Sequence, residues 1–327
     1  MPNLPHNPTP EQLEKSYSEG FEGWIWNLEV EREWEAYWSG RPALYSQSPD
    51  LKDLHKKHPR VLLWRYREKF DPGAWAQEAQ TTGDCVSHGS RNARDVTRAV
   101  EVAMGEPEIY YKRGATEPTY GARGHGGQGM DPTRATKFEM EFGFLFREVY
   151  KDANKNLNLD LSKYNSRIGD NWGRSGVPEA VKQECKKHNV GDNTRPTSGE
   201  EVMDLLASGR AGHSGQSWGT GSSTGADGIN RKSAGWSHDM ATTGYDWSQE
   251  FFKEPVIFVN NSWGPWNRPN PVWMANLDVY GPWIPGMIVI SLSEYVRYFV
   301  KSGSIHFYSD IKGFPIRELP WIDLGGF

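Results

Sequence analysis

The sequence predicts an α+β fold with two lobes, the first helical and the second rich in antiparallel β-strands. Two observations lead to this prediction. In the first half, capping residues and prolines mark helix starts, and glycines mark helix ends. From Ala211 onward, short apolar runs separated by glycine-rich loops replace that pattern, as is typical of strands. We place the helical lobe at about residues 80–205 and the β-rich lobe at about 206–310, inside a domain of residues 59–327.

Residues 1–58 are predicted to be an arm outside this domain. Thr9 can cap a helix whose first position is Pro10, and tryptophans then stand among glutamates as far as about Ser39. This pattern indicates an amphipathic helical arm. The arm either packs on its own domain, as a pro-like extension does, or docks on a protein partner or a second copy. The sequence leaves both alternatives open.

Helix signals follow one another through the first lobe. A helix is predicted over residues 86–104 because Gly105 provides a stop just beyond it. A second helix is predicted to begin after a cap at Asp131, with Pro132 at its first position, and to run to about Phe142. Two further helices are predicted over residues 177–188 and 198–206.

Strand signals dominate the second lobe. An earlier short strand is predicted within residues 61–70, whereas residues 112–130 and 151–176 are predicted to be loop or irregular chain. The strands of the second lobe are predicted over residues 211–218, 238–247, 255–263 and 286–292.

Composition excludes several classes of function. The net charge is -5, with both signs mixed along the chain, which gives no electrostatic reason to expect nucleic acid. The sequence shows no apolar stretch long enough to span a bilayer and no secretory signal, so we expect no membrane partner and a place in the cytoplasm or inside a particle. The 2 cysteines predict neither a disulfide framework nor a zinc site, and we expect no metal or cofactor.

Cys85 is the candidate nucleophile. In TTGDCVSHG, residues 81–89, this thiol follows a turn at Gly83-Asp84 and stands in the first turn of the predicted helix. A helix N-terminus favours the thiolate, because its free backbone N–H groups carry partial positive charge. The other cysteine, Cys185, is predicted to be a helix residue without chemistry.

A thiolate nucleophile also needs a histidine, and His238 is the candidate. It stands at the start of a predicted strand in the second lobe, where it can face Cys85 from the other side of a cleft. Asn261 lies at the end of the apolar run VIFVNN and can orient the imidazole, while Trp263 can shield their contact from water.

The other histidines are weaker candidates. His88 lies on the same helix as Cys85 and is predicted to be a solvated helix residue. His125 and His213 stand in glycine-rich stretches and are minor candidates for lining a cleft. The run GQSWGTGSSTGADGIN is predicted to be a surface loop, since no Lys-Ser/Thr signature of a phosphate cradle follows its glycines.

Taken in order, these motifs resemble those of the papain-like cysteine peptidases. GDC at a helix start resembles the family's Gly-x-Cys, SHDMATTGYDW resembles its histidine strand, and VNNSWGPW is similar to its Asn-Ser-Trp-Gly element. The order Cys, His, Asn also matches, and the resemblance covers about residues 60–310. It implies two lobes with an active-site cleft between them and a polypeptide as the substrate.

The resemblance also implies a role for each site residue. Cys85 is the nucleophile, His238 the acid/base and Asn261 the orienting residue. An oxyanion hole is implied at the Cys85 N–H and the Gln80 amide. Support for the substrate or the triad is implied at Gly127, Gln128, Gly129 and Trp263.

This chain departs from the family pattern at three positions near the site. Gln80 lies five residues before Cys85, where the family has a spacing of six, and Val86 replaces the usual tryptophan. Asp239 replaces the alanine that usually follows the histidine. We expect its carboxylate either to raise the pKa of the imidazole or to face solvent.

Three functions are compatible with the sequence. The first is a cysteine endopeptidase that acts through Cys85. The second is a structural or assembly module, for example of a virus particle, that keeps the fold with weak or no activity; the tryptophan-rich arm and the altered glutamine spacing motivate it. A cell-wall amidase or transglutaminase ranks third, because those enzymes lack the Asn-Ser-Trp-Gly element.

Overall fold

The computed structural model describes residues 23–38, 48–105, 110–309 and 319. Its architecture confirms the predicted α+β class, because helices dominate the first half and one large antiparallel sheet holds most of the second. The predicted start of the arm at Thr9 lies outside the described residues.

Helices of very different lengths occur along the described chain. They are α1 (Leu28–Trp38), α2 (Leu54–Lys57), α3 (Trp64–Phe70), α4 (Ala74–Gln77), α5 (Cys85–Met104), α6 (Glu117–Gly121), α7 (Pro132–Phe142), α8 (Ser166–Ser175), α9 (Glu179–Cys185), α10 (Gly199–Ala207), α11 (Pro271–Met274), α12 (Leu277–Tyr280) and α13 (Leu292–Tyr295). Short 3₁₀ turns cover Pro49–Leu51 and Ala153–Lys155, and a π turn covers Val296–Val300.

The main sheet is antiparallel throughout. Its strands are β1 (Arg60–Leu62), β4 (Asp192–Thr194), β5 (Gly212–Gln216), β6 (His238–Asp246), β7 (Val256–Asn260), β8 (Met287–Ser291) and β9 (Ser304–Ser309), and a separate hairpin pairs β2 (Val149–Asp152) with β3 (Leu157–Asp160). The order is β4-β9-β5-β6-β7-β8, and β1 joins the second half of β6. The predicted strands of the second lobe are therefore present as β5 to β8, whereas β4 and β9 were not predicted.

Helix α5 lies at the centre of the molecule. It packs on β5 and β6 on one side and on α3 and α7 on the other, so residues 85–101 are all buried. Val96, Ala99 and Val100 contribute fully buried apolar side chains, each valine worth about 2 kcal/mol by area. The same burial encloses His88, so the prediction of a solvated helix residue was wrong. Its Nε2 lies 3.4 Å from an Asp84 carboxylate oxygen.

One prediction for the early chain was only partly right. A short strand was predicted within residues 61–70, but the strand ends at Leu62 and α3 follows. The buried side chains Trp64 and Arg67 are three positions apart, which is a helical spacing. Trp64 then packs between Phe258 and Trp273, with ring centroids 4.7 and 5.1 Å away.

Two stretches predicted to lack regular structure contain it. Residues 112–130 include α6, and residues 151–176 include part of the β2–β3 hairpin and all of α8. The sequence of α8, SRIGDNWGRS, has a loop-like composition because its glycines serve close packing. A Cβ on Gly173 would overlap the Arg123 guanidinium, and one on Gly169 would come within 3.0 Å of Tyr120.

Candidate active site

Cys85 is the first residue of α5 and is fully buried. The backbone N–H of Asp239 donates to its sulfur, and this contact favours the thiolate. Burial acts in the opposite direction and is the largest influence, followed by the charge of Asp239, so the pKa of Cys85 lies well above its ordinary value. In this state the sulfur is a protonated thiol.

His238 and Asn261 meet through the pairing of β6 with β7. His238 begins β6 and Asn261 follows the last residue of β7, and the antiparallel register brings these two ends together. His238 Nε2 lies 2.8 Å from Asn261 Oδ1. The ring of Trp263 covers this contact, with its centroid 4.5 Å from that of the imidazole. Burial lowers the pKa of His238 to about 4, so the ring is neutral.

Cys85 is linked to the start of β6 through the residues on either side of His238. The residue after His238, Asp239, bonds the Cys85 sulfur, and the residue before it, Ser237, accepts a bond from the segment that covers that sulfur. Cys85, at the start of α5, therefore lies close to the end of β6 where His238 meets Asn261.

Gln80 is tied to the same junction. Its backbone N–H donates to Ser262 O at 2.9 Å, and its Oε1 accepts from Ser262 Oγ at 2.5 Å. Its Nε2 donates to Thr82 O at 3.0 Å. The glutamine that stands one position closer to Cys85 than the family spacing is thus held beside the residue that follows Asn261.

The glycine-rich loop buttresses the turn before Cys85. Gln128 Oε1 accepts from Thr82 Oγ1 at 2.6 Å and from the backbone N–H of Gly83. Gly129 N donates to Gly83 O at 3.1 Å. Gly127 O accepts from Arg123 Nε at 2.9 Å. These three loop residues therefore bond to the protein itself in this state.

Residues 23–38, which we call the strap, cross the site. A Cβ built on Gly23 would overlap the Cys85 sulfur, so the strap backbone lies directly on the thiol. Gly23 N and Trp24 N both lie 3.2 Å from Ser237 O. On the other side Met130 N donates to Gly23 O at 3.0 Å, and Ile25 N donates to Met130 O at 3.1 Å, a parallel β-bridge.

The strap side chain next to the thiol fills a pocket. A Cβ on Gly215 would overlap the Trp24 indole and lie 2.7 Å from Pro132 Cγ, so the absence of a side chain at this position makes room for the ring. The indole of Trp26 packs on that of Trp24 edge to face at 6.3 Å. The site therefore offers backbone groups of Ser237 and Met130 that bond an extended segment, and an adjacent pocket that accepts an indole.

Helix α1 anchors the strap beyond the pocket. The buried Glu31 carboxylate accepts from Thr133 Oγ1, from Ser304 Oγ at 3.2 Å and from the Arg195 guanidinium. Asn27 N donates to Asp131 at 3.0 Å. Burial, and then the charge of Glu31, raises the pKa of Asp131 to about 6.

Sequence reasoning missed three of the residues that build this site. Gly23, Met130 and Ser237 act through backbone groups, which leave no side-chain signature in a sequence. The one available signal was the tryptophan-rich composition of the arm, and it does not identify the position that meets Cys85.

Several predictions about neighbouring residues were wrong or only partly right. Asp239 does not face solvent: its carboxylate is buried and lies 2.9 Å from His213 Nδ1. His213 is a fully buried residue of β5, so it does not line a cleft, whereas His125 is exposed in its loop. Cys185 is buried in α9, as expected of a helix residue, and burial raises its pKa to about 12.

Within the described ranges, His, Cys, Asp and Glu side chains form no group of three or more suited to a metal ion. None of the helices in the same ranges combines the length and apolar character needed to cross a bilayer.

Comparison with solved structures returns cysteine proteases. The fold is similar to xylellain, a cysteine protease from Xylella fastidiosa, with 14% identity and a TM-score of 0.46 over 78% of this chain and 86% of that one. It is also similar to digestive procathepsin L 3 of Tenebrio molitor larval midgut, with 9% identity and a TM-score of 0.46 over 77% and 69% of the two chains. The proform of Amb a 11, a ragweed pollen cysteine protease, matches with 14% identity and a TM-score of 0.44 over 79% and 67%.

At these identities the similarity is one of fold. No protein-family model matches the chain, and no curated protein matches it.

Proposed function

We propose that this protein is a cysteine endopeptidase of papain-like fold, with Cys85 as nucleophile and His238 as acid/base. The observation that carries the proposal is the 2.8 Å bond from His238 Nε2 to Asn261 Oδ1. That bond leaves Nδ1 as the nitrogen available to a thiol, and the thiol of Cys85 stands at a helix N-terminus.

The reaction follows from these positions. The Cys85 proton passes to His238 Nδ1, and the thiolate forms a C–S bond with the carbonyl carbon of a peptide bond. The resulting oxyanion accepts from the Cys85 N–H and from the second amide hydrogen of Gln80, whose first donates to Thr82 O. The imidazolium returns the proton to the leaving amine as the C–N bond breaks, and water then hydrolyses the acyl-enzyme with His238 as base.

The described state is the closed form of this enzyme. Gly23 covers the sulfur, and enclosure raises the pKa of Cys85 while it lowers that of His238 to about 4. Both changes favour the neutral thiol and imidazole over the reactive ion pair. We propose that displacement of the strap admits water and substrate together and allows the ion pair to form.

The experiment uses the full chain with one substitution. Gly23→Val places a side chain where the sulfur lies and should expel the strap, whereas Gly221→Val, where a Cβ meets nothing within 4 Å, is a matched control. We expect the Gly23→Val chain to hydrolyse a fluorogenic peptide library and to be labelled at Cys85 by an epoxysuccinyl thiol reagent. Cys85→Ala in the same background should abolish both. Labelling without hydrolysis of any peptide would contradict the proposal.

The closed site also favours a second candidate, a structural or assembly module. In the described state the Cys85 thiol is neutral and is covered by the protein's own chain. This is compatible with a protein that uses the fold to bind other subunits and does not use the thiol in catalysis. Light scattering of the wild-type chain and of a chain lacking residues 1–38 tests this candidate. Loss of an oligomer on deletion, without any gain of hydrolysis, would favour the module over the peptidase.

A further inference from the structure

A carboxylate–imidazole pair lies close to the nucleophile. Asp239 follows His238 on β6, and because successive strand residues point to opposite faces, the two side chains point to opposite faces of the sheet. Both carboxylate oxygens lie near His213 Nδ1, at 3.0 and 2.9 Å. His213 stands on the neighbouring strand β5, and both side chains are fully buried.

The carboxylate of this pair lies on the helix that carries the thiol. A Cβ on Gly89 would overlap Asp239 Oδ1, so the carboxylate touches the backbone of α5 one turn after Cys85. The backbone N–H of the same residue donates to the Cys85 sulfur. Asp239 therefore contacts the nucleophile through its backbone and its helix through its side chain.

The imidazole of the pair is held at its other nitrogen. His213 Nε2 lies 3.0 Å from Tyr308 Oη, which in turn lies 2.9 Å from Ser90 Oγ. Ser90 Oγ donates to Glu139 at 2.7 Å, and Arg94 lies 2.7 Å from the other oxygen of Glu139. Glu139 and Arg94 neutralise each other, so the charges that act on the Cys85 thiol are that of Asp239 and then that of Asp84.

Other titratable groups lie on the elements packed against the pair. These are Cys85 on α5 with Asp84 immediately before it, Tyr308 and His306 on β9, Glu139 on α7 and Tyr295 on α13. Burial holds the pKa of both tyrosines above the ordinary value and that of His306 well below it, so these three groups are neutral at physiological pH.

We propose that Asp239 and His213 form a buried pair that controls the ionisation of the Cys85 thiol. In this pair Asp239 is a positioning residue, and its negative charge opposes the thiolate until the pair takes up a proton. This inference rests on the proposed role of Cys85 as nucleophile. Burial raises the pKa of Asp239 to about 6, so the opposing charge is present at neutral pH and is lost under mildly acidic conditions. Proton uptake by the pair then favours the reactive form of Cys85.

The test measures the protonation of Cys85 directly in the full chain. Cysteine labelled with ¹³C at Cβ gives two signals, which Cys85→Ser assigns, and the chemical shift is followed with pH. We expect Asp239→Asn to lower the pH at which the Cys85 thiol is half ionised by about one pH unit or more. The same variant should lose an inflection of the Cys85 signal near pH 6. The control is Asp204→Asn, which neutralises an equally buried carboxylate paired with His55 at 2.6 Å.

The outcomes separate clearly. The proposal would be overturned if the pH at which the Cys85 thiol is half ionised were the same in wild type and Asp239→Asn. It would also be overturned if Asp204→Asn shifted this pH as much as Asp239→Asn does. If Asp239→Asn does not fold, His213→Gln carries the test: His213 lowers the pKa of Asp239, so its loss should move the inflection to higher pH, and an unmoved inflection overturns the proposal. None of these readouts requires hydrolysis, so a failure of the peptidase assay is distinguishable from a failure of this inference.

Discussion

Glu31 is expected to be the main anchor of the closed state, and Glu31→Gln should open it. The glutamine keeps an oxygen for Thr133 and Ser304 but loses the charge that faces Arg195. A fully buried ion pair costs several kcal/mol to break, but the Arg195 side chain is 25% exposed and water can solvate it. We therefore expect a cost of about 2 kcal/mol, or about thirtyfold in the population of open molecules.

The assay is the rate at which iodoacetamide alkylates Cys85, read by mass spectrometry, with the buried Cys185 as an internal reference. When the strap recloses faster than alkylation, this rate is proportional to the open population. Glu33→Gln is the matched control, because Glu33 lies on the same helix and pairs with Lys137, but at the surface. Equal rates in the two variants, or a Glu31→Gln rate within about twofold of wild type, would refute the reasoning.

Three further predictions follow from the same geometry. In the Glu31→Gln background, Asn261→Ala should lower kcat about a hundredfold with little change in KM, because the imidazole loses its orienting bond; unchanged kcat would contradict this role. Gly89→Ala should lower the free energy of unfolding by about 1–3 kcal/mol in urea titrations, and Asp239→Ala in the same chain should recover most of it; additive losses would show that the two residues do not clash. The pKa of Asp131 in the docked state, about 6, is above its unfolded value, so its contribution to docking is complete below the unfolded pKa and is lost as pH rises through about 6. Amide exchange at Ile25, corrected for intrinsic rate, should therefore speed up between pH 5 and 7 in wild type and show a weaker pH dependence in Asp131→Asn, which keeps the helix cap.

Much of the fold was predictable because its signals are local. Helix α7 starts at the predicted Asp131 cap and ends at the predicted Phe142, since capping bonds involve residues only a few positions apart. Helix α8 was missed for the opposite reason, because Gly169 and Gly173 serve contacts with residues about fifty positions away. Strand β4 was missed because a segment as short as 192–194 becomes a strand only through its pairing with β9.

Within the candidate site, too, some features follow from local sequence and others depend on contacts between distant segments. Cys85, His238 and Asn261 could be proposed from their own neighbourhoods, because a helix start and two strand ends are marked in the sequence. Their proximity depends on the packing of α5 on β6 and on the register of β6 with β7. The predicted solvated His88 was wrong, and so was the alternative in which Asp239 faces solvent; both concerned which face of an element would be covered.

The sequence by itself determined the class of fold, the helix that begins at the thiol and the three residues of the candidate triad. Only the tertiary structure decided that Gly23 lies on the sulfur and that Asp239 pairs with His213 close to it. The physical reason is that local patterns specify backbone conformation over a few residues, whereas burial and charge at Cys85 arise from segments far apart in the chain. Those distant contacts set the pKa of the thiol, and with it whether Cys85 can act as a nucleophile.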